Sequence, residues 1–461
     1  MKMNRRELLQ VLAVMLLGHT SYACQEGAQA GTTPGGKKRI AVLGAGLAGL
    51  AAARELQEYG HEVIVIEARE RIGGRIWTST QWADMPLDFG ATWIHGTTGN
   101  PLSALADDIE ATRLVTRYEH SIAYNASGQE LSGAEAARLD ELRERVYQAL
   151  ETAQDRDNDT SVRQAVRALQ ASFGEFSEEN RLINFILNSE LEQEYSGSID
   201  RLSAHWYDAI KEFGGNDALF AQGFQVISQH LAEGLSIKTG HVVREIDWQQ
   251  TPIRVVTQYQ DFLADQVIVT LPLGVLQAQQ VQFTPALPAN KQNAIAKLGM
   301  GVLNKCYLRF TQAFWPDDVD WLEYVAPEFG AWTEWVSFQR VAGKPVLLGF
   351  NSGTRGREIE DWTDQQMVAS AMEALRTIFG ASIPDPVSYQ LTRWGSDPHA
   401  RGSYSFNALG STPNMRKVLA APLGNKLFFA GEASEQNYFG TAHGAYLSGL
   451  RAATEVLGVL W

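Results

Sequence analysis

Ile40 to Leu43 is an unbroken apolar run, the pattern of a strand buried on both faces. After a glycine-rich turn, Leu47, Leu50, Ala51 and Leu56 fall on or near one face of a helix that should stop near Gly60. Val63 to Ile66 reads as a second buried strand. Between residues 130 and 215 the period changes. Ala137 to Ala153, Ser161 to Leu169 and Glu178 to Leu191 carry helical spacing with mixed charge. Strands are expected again at Ser236 to Lys238, Val242 to Ile246, Ile253 to Val256 and Gln266 to Thr270. An amphipathic helix is expected over Asp361 to Phe379, ended by Gly380, then a strand near Phe428 and a helix from about Thr441.

The first turn carries chemistry. Gly44, Gly46 and Gly49 have the spacing G-x-G-x-x-G. Gly44 permits the tight turn, Gly46 lets backbone approach a pyrophosphate, and Gly49 lets the helix lie close to the sheet. The helix N-terminus offers N–H groups and a positive dipole end to phosphate. Glu67 ends the second strand, where an acid can accept hydrogen bonds from a ribose 2′-OH. Arg69 and Arg75 add guanidinium forks suited to a diphosphate, and Gly73 and Gly74 allow a second close backbone approach. A nicotinamide dehydrogenase needs no such second loop.

Composition narrows the class. A formal charge of −14 and a pI of about 5.2 argue against nucleic-acid binding, which needs a basic footprint. At 461 residues the chain exceeds one ordinary domain. Cys24 and Cys306 are the only cysteines, and the nine histidines lack metal-ligand spacing, so neither a disulfide framework nor a metal site is expected. Lys2, Arg5 and Arg6 followed by apolar Leu8 to Gly18 read as a targeting segment over residues 1–30. Asn4-Arg5-Arg6-Glu7-Leu8-Leu9 looks like a twin-arginine signal, so export to a bacterial periplasm is expected. Cleavage after Ala30 and cleavage before a lipid-anchored Cys24 are both open.

The opening from Lys38 to Arg75 resembles that of the flavin amine oxidase superfamily, which includes monoamine oxidases, polyamine oxidases and lysine-specific histone demethylases. Further motifs carry the resemblance in order over about residues 38–455. It implies an α/β fold: a discontinuous Rossmann-like FAD-binding domain (38–96, 222–290 and 391–461) and an α+β substrate domain (97–221 and 291–390). It implies backbone contacts to FAD from Gly90, Ala91, Thr92 and Trp93, an adenine contact at Val243, and a tryptophan near the flavin at Trp394. Glu432 matches the acid at the ribityl or diphosphate region. Lys305, in a Gly-x-x-Asn-Lys pattern, matches the lysine that holds a water against flavin N5. Ser403 stands where monoamine oxidases join a cysteine to FAD, which implies noncovalent FAD.

The motif Trp93-Ile94-His95-Gly96 with Gly99-Asn100-Pro101 is most similar to polyamine and spermine oxidases, where the position of His95 lies at the substrate channel. Tyr404 takes one wall of the family's aromatic cage, and Thr441 replaces its second tyrosine. In a helix Glu190 and Glu194 share a face while Glu192 points elsewhere. The group is either a solvated acidic face or, with Glu192 about where related oxidases carry an acid, a grip on a distal ammonium. The implied reaction is oxidation of a C–N bond by FAD and dioxygen to imine, then aldehyde, amine and hydrogen peroxide. The amine is expected to be a polyamine. The rivals are an L-amino-acid oxidase using Arg393 or Arg401, a monoamine oxidase, a peptide demethylase and a non-catalytic flavoprotein scaffold.

Overall fold

The computed structural model of the chain describes residues 36–458; the expected signal segment, residues 1–30, and Cys24 lie outside them. A five-stranded parallel sheet has the order Leu427–Phe429, Gln266–Val269, Arg39–Leu43, Glu62–Ile66, Ser236–Lys238. Successive side chains of a strand point to opposite faces. Ile40 and Val42 therefore join one core with the helices Leu47–Glu58, Gln225–Ala232 and Ala442–Leu457. Ala41 and Leu43 join another, beneath a four-stranded sheet in the order Asp261–Ala264, Ile253–Thr257, Val243–Asp247, Gln282–Thr284. Both faces are covered, which is why residues 40–43, 63–66 and 267–269 of the central strands are all apolar. The three layers draw on both ends and the middle of the chain.

A six-stranded sheet lies beyond them, in the order Ser388–Leu391, Leu303–Arg309, Val346–Ser352, Glu334–Ser337, Trp321–Tyr324, Ser121–Tyr124. The helices Gly133–Gln154, Val162–Ala171 and Glu178–Ile186 form their own core, with Leu139, Leu142, Val146 and Leu150 on one face of the first. Their starts are capped by the side chains of Ser132, Ser161 and Ser177, each accepting from a backbone N–H of the first turn.

One expected helix breaks. The run from Glu178 is α-helical only to Ile186 and continues as a π-helix, Leu187–Gln193. The wider turn changes which side chains share a face. Ser189, Glu190, Gln193 and Glu194 face a large cavity, while Asn188 and Glu192 are buried behind it. Trp321 reaches the cavity wall, whereas Trp315, Trp332 and Trp335 are core.

Candidate active site

A cavity of about 750 Å³ runs between the parallel sheet and the six-stranded sheet, within the usual size range for ligand sites. One end is a cradle of backbone. The helix Leu47–Glu58 begins at Gly46 with no side-chain cap, and Leu47 and Ala48 line the cavity. Its first N–H groups are thus left for an anion. Gly44 turns at φ +111°, and a Cβ there would lie 2.6 Å from Thr270 Oγ1. A Cβ on Gly49 would lie 2.0 Å from the Gly44 carbonyl oxygen. Gly49 does not line the cavity: it is a packing residue rather than a cofactor contact, because its bare Cα is what seats the helix on the turn.

The second loop is tied to the first. Gly73 N–H donates to Ala45 O at 2.8 Å. The Glu67 carboxylate accepts from Ala45 N at 2.7 Å and from Arg69 N at 2.8 Å, one bond to each oxygen, so each keeps a lone pair for a further donor. Arg75 Nη1 donates to Glu432 Oε1 at 2.7 Å and to Ser403 O at 2.9 Å. Burial pushes the Glu432 acid up, but Arg75, the Ser405 hydroxyl and Arg416 outweigh it and hold the group below its ordinary value. Arg69 departs from expectation. Its guanidinium is engaged by both oxygens of Asp397, at 2.9 and 2.7 Å, so it lines the cavity as half of an ion pair and not as a free fork. Gly74 and Val243 also line this end.

Mid-cavity, the segment from Phe89 to Trp93 forms part of the wall, and Lys305 lines the cavity beside it. Lys305 Nζ donates to Asp88 O at 2.8 Å, to Gly90 O at 2.7 Å and to the Thr92 hydroxyl. An ammonium has three N–H donors, and all three go to this loop. These bonds tie Lys305 to the segment that carries Gly90, Ala91, Thr92 and Trp93. Burial lowers its proton affinity and Asp88 opposes that. Trp394 donates its indole N–H to Phe89 O at 3.0 Å.

Tyr404 lines the cavity with its hydroxyl donated to Gln193 O at 2.5 Å. Thr441 also lines it, but its hydroxyl caps the last helix: it donates to Tyr438 O at 2.7 Å and accepts from Gly444 N at 2.9 Å. Ser403 shares two bonds with the Leu303 backbone, at 2.8 and 2.9 Å. His95 lines the cavity, and its Nδ1 lies 2.8 Å from Asp217 Oδ2.

The acids sort themselves by face. Glu192 is a correction. Its carboxylate is buried, accepting from Asn188 Nδ2 and from Ile199 N, each at 2.9 Å, and it does not reach the cavity. Glu190 and Glu194 do, together with Glu323 and Glu334, which local sequence did not single out. Glu323 and Glu334 are directly opposite each other across two antiparallel strands, a like-charge pairing that costs stability. Arg143 is committed to Glu190, at 2.7 Å, and to Asp140. Burial first, then Glu323, Glu190 and Glu194, push the Glu334 acid up to about 8.

Comparison with known proteins places this geometry. The profile described as flavin containing amine oxidoreductase matches residues 47–457. The chain is 34% identical over 437 residues to lysine-specific histone demethylase 1 homolog 2 of Arabidopsis thaliana, covering 91% of this chain and 58% of that one. It is 32% identical over 431 residues to polyamine oxidase 2 of the same plant, covering 90% and 87%. Polyamine oxidase 4 of Oryza sativa subsp. japonica is 32% identical over 432 residues, with 90% and 88% covered. A solved structure of wild-type putrescine oxidase bound to putrescine has the same fold, with TM-score 0.75 at 20% identity over 92% of this chain and 99% of that one. The uncapped helix, the tied glycine loops and the Arg75–Glu432 pair fit the FAD these proteins share. The chain belongs to the flavin-containing amine oxidoreductase family and is an FAD-dependent amine oxidase.

Proposed function

We propose that the chain is a polyamine oxidase that uses dioxygen as acceptor and releases hydrogen peroxide. The observation that carries this reading is the acidic end of the cavity. Glu190, Glu194, Glu323 and Glu334 converge there, and the nearby Arg143 is already spent on Glu190 and Asp140. Four carboxylates brought together at such cost suit a substrate carrying more than one ammonium. A substrate carboxylate would be repelled. The arginines considered for an L-amino-acid oxidase do not serve it: Arg393 donates to Asp364, Trp362 O and Glu360 O, and neither it nor Arg401 lines the cavity.

We assign the three sheet-and-helix layers (38–96, 222–290 and 391–461) to cofactor binding and the six-stranded sheet with its helices (97–221 and 291–390) to the substrate. FAD, when bound, supplies the acceptor for the hydride equivalent. The protein's part is placement. Lys305 holds the Gly90–Trp93 wall, and Tyr404 and Trp394 bound the space for the reacting carbon. A panel of mono-, di-, tri- and tetra-amines, scored by peroxide release and by anaerobic bleaching of the flavin, tests the reading. Faster turnover of a monoamine than of every polyamine would overturn it. For localisation we infer export by the twin-arginine route, from Asn4 to Leu9.

A further inference from the structure

The six-stranded sheet presents a row of side chains to the cavity, and strand register fixes the order. Lys305 is directly opposite Phe350. The next strand pair sets Trp335 against Gly349 and Val336 against Leu348, so one further step sets Glu334 opposite Phe350. Glu334 is in turn opposite Glu323. Lys305, Phe350, Glu334 and Glu323 all line the cavity. Their chain neighbours Cys306, Trp335 and Leu322 point to the other face and are core. Four strands thus deliver a lysine, an aromatic ring and two acids in one line.

The two ends of the line differ. Trp394 N donates to Asn304 Oδ1 at 2.9 Å, so Trp394, which bounds the space for the reacting carbon, lies at the Lys305 end. Arg143 stands at the other end and lines the cavity there. Its Nε donates to Glu190 Oε1 at 2.7 Å. The Tyr147 hydroxyl, one turn further along the same helix, donates to Glu190 Oε2 at 3.0 Å. Both oxygens of Glu190 are therefore engaged by the protein. Arg143 also acts on the Glu323 acid, opposing the rise that burial causes. Glu334 takes the Ser189 hydroxyl on Oε1, and no second donor reaches its Oε2 among the described residues.

Adjacent strands lie about 4.7–4.9 Å apart, so Glu334 is roughly 10 Å and Glu323 roughly 14 Å from Lys305 along the row. We infer that this row measures the substrate: the Glu334–Glu323 pair takes the far ammonium of an amine whose second charge lies roughly 10–14 Å from the reacting nitrogen, and the Arg143 guanidinium turns away an amine that extends further. The inference deepens the polyamine reading and rests on it.

The chemistry along the row agrees. Phe350, between the ends, offers an apolar face to the intervening methylenes. An ammonium set between two facing carboxylates removes the repulsion that their pairing costs the free protein. A methylene chain of ~1.5 Å bonds at ~111° advances about 1.25 Å per bond. A four-carbon diamine therefore spans about 6 Å between its nitrogens and stops at Phe350. A linear triamine with roughly nine bonds between its end nitrogens spans about 11 Å and reaches the acid pair.

The test uses holoenzyme and a series of α,ω-diaminoalkanes from three to twelve methylenes, each beside the monoalkylamine of equal chain length. kcat/KM is measured from peroxide release at pH 9, where the Glu334 acid, raised to about 8, is ionised. The ratio of diamine to monoamine isolates the far charge from the apolar chain. In wild type the ratio should peak at roughly seven to ten methylenes, about tenfold above its value at four, with the difference carried by KM. Glu334→Gln and Glu323→Gln should each flatten the peak to within about threefold. Arg143→Gln should raise the ratio at twelve methylenes about tenfold. A ratio that peaks at four methylenes, or does not vary with length, overturns the inference, as does a peak that survives both glutamate variants. An outer limit unmoved by Arg143→Gln overturns the part given to Arg143. Any of these results with the ratio above one leaves the polyamine reading standing. A ratio below one at every length overturns that reading and the ruler with it. The wild-type profile decides the length by itself, so the test stands where a variant fails to fold.

Discussion

Glu334→Gln should make the protein more stable at alkaline pH and a poorer enzyme for polycations. In the native cavity Glu334 faces Glu323 across the strand pair, with Glu190 and Glu194 close by. Its acid is raised from 4.5 to about 8, while in the unfolded chain it ionises normally. The folded state therefore binds more protons between those values, and stability falls as pH rises through that window. The penalty is absent below about pH 4.5 and complete above about pH 8. At 1.36 kcal/mol per pH unit the displacement corresponds to ~5 kcal/mol, and solvent reaching the cavity cuts this to roughly 2–3 kcal/mol. Glutamine keeps the shape and a carbonyl for the Ser189 hydroxyl, and removes the charge. Urea unfolding of substrate-free holoenzyme at pH 5 and pH 9 measures the difference. The two proteins should match at pH 5, and the variant should gain ~2–3 kcal/mol at pH 9. In steady-state assays at pH 9 its KM for a triamine should rise about tenfold, equivalent to ~1.4 kcal/mol for one lost charge contact. Parallel stability curves from pH 5 to pH 9 would refute the reasoning, because Glu334 would then ionise in the cavity as it does in water.

Lys305→Met should loosen the cavity wall: two carbonyls and a hydroxyl lose their donor at a cost of ~2–4 kcal/mol, and FAD affinity, measured by titrating apoprotein, should fall. Unchanged affinity and melting temperature would remove its anchoring role. Glu192→Gln should lower stability by ~1–3 kcal/mol while leaving the KM for polyamines within twofold, because the carboxylate serves Ile199 N and Asn188 and not the substrate. A large KM change at intact stability would return Glu192 to the binding site. Ser403 forms no thioether, so acid precipitation should leave the yellow chromophore in the supernatant; colour in the pellet would refute noncovalent FAD. Replacing Arg5 and Arg6 with Lys should strand the precursor in the cytoplasm, and unchanged export by fractionation would reduce the pair to a generic charged segment.

Local sequence determined the elements and the cradle. A strand segment covered on both faces must be apolar, and a turn whose Cβ would strike Thr270 must be glycine, so residues 40–43, Gly44 and the helix behind them are readable from neighbours in the chain. The motifs carried the family as well. The tertiary structure decided which polar groups meet. Lys305 spends its protons on acceptors 213, 215 and 217 residues away, and Arg69 meets an acid 328 residues on. His95 and Asp217 stand 122 residues apart and meet through strand register, as do Glu323 and Glu334. Helical spacing alone correctly sets Glu190 and Glu194 on one face, yet it cannot say whether that face meets solvent or a cavity. The π-turn and the sheet packed against it decide that. Periodicity records which side of an element is apolar; the partner of a charge depends on register and packing between distant segments, and no local pattern encodes it.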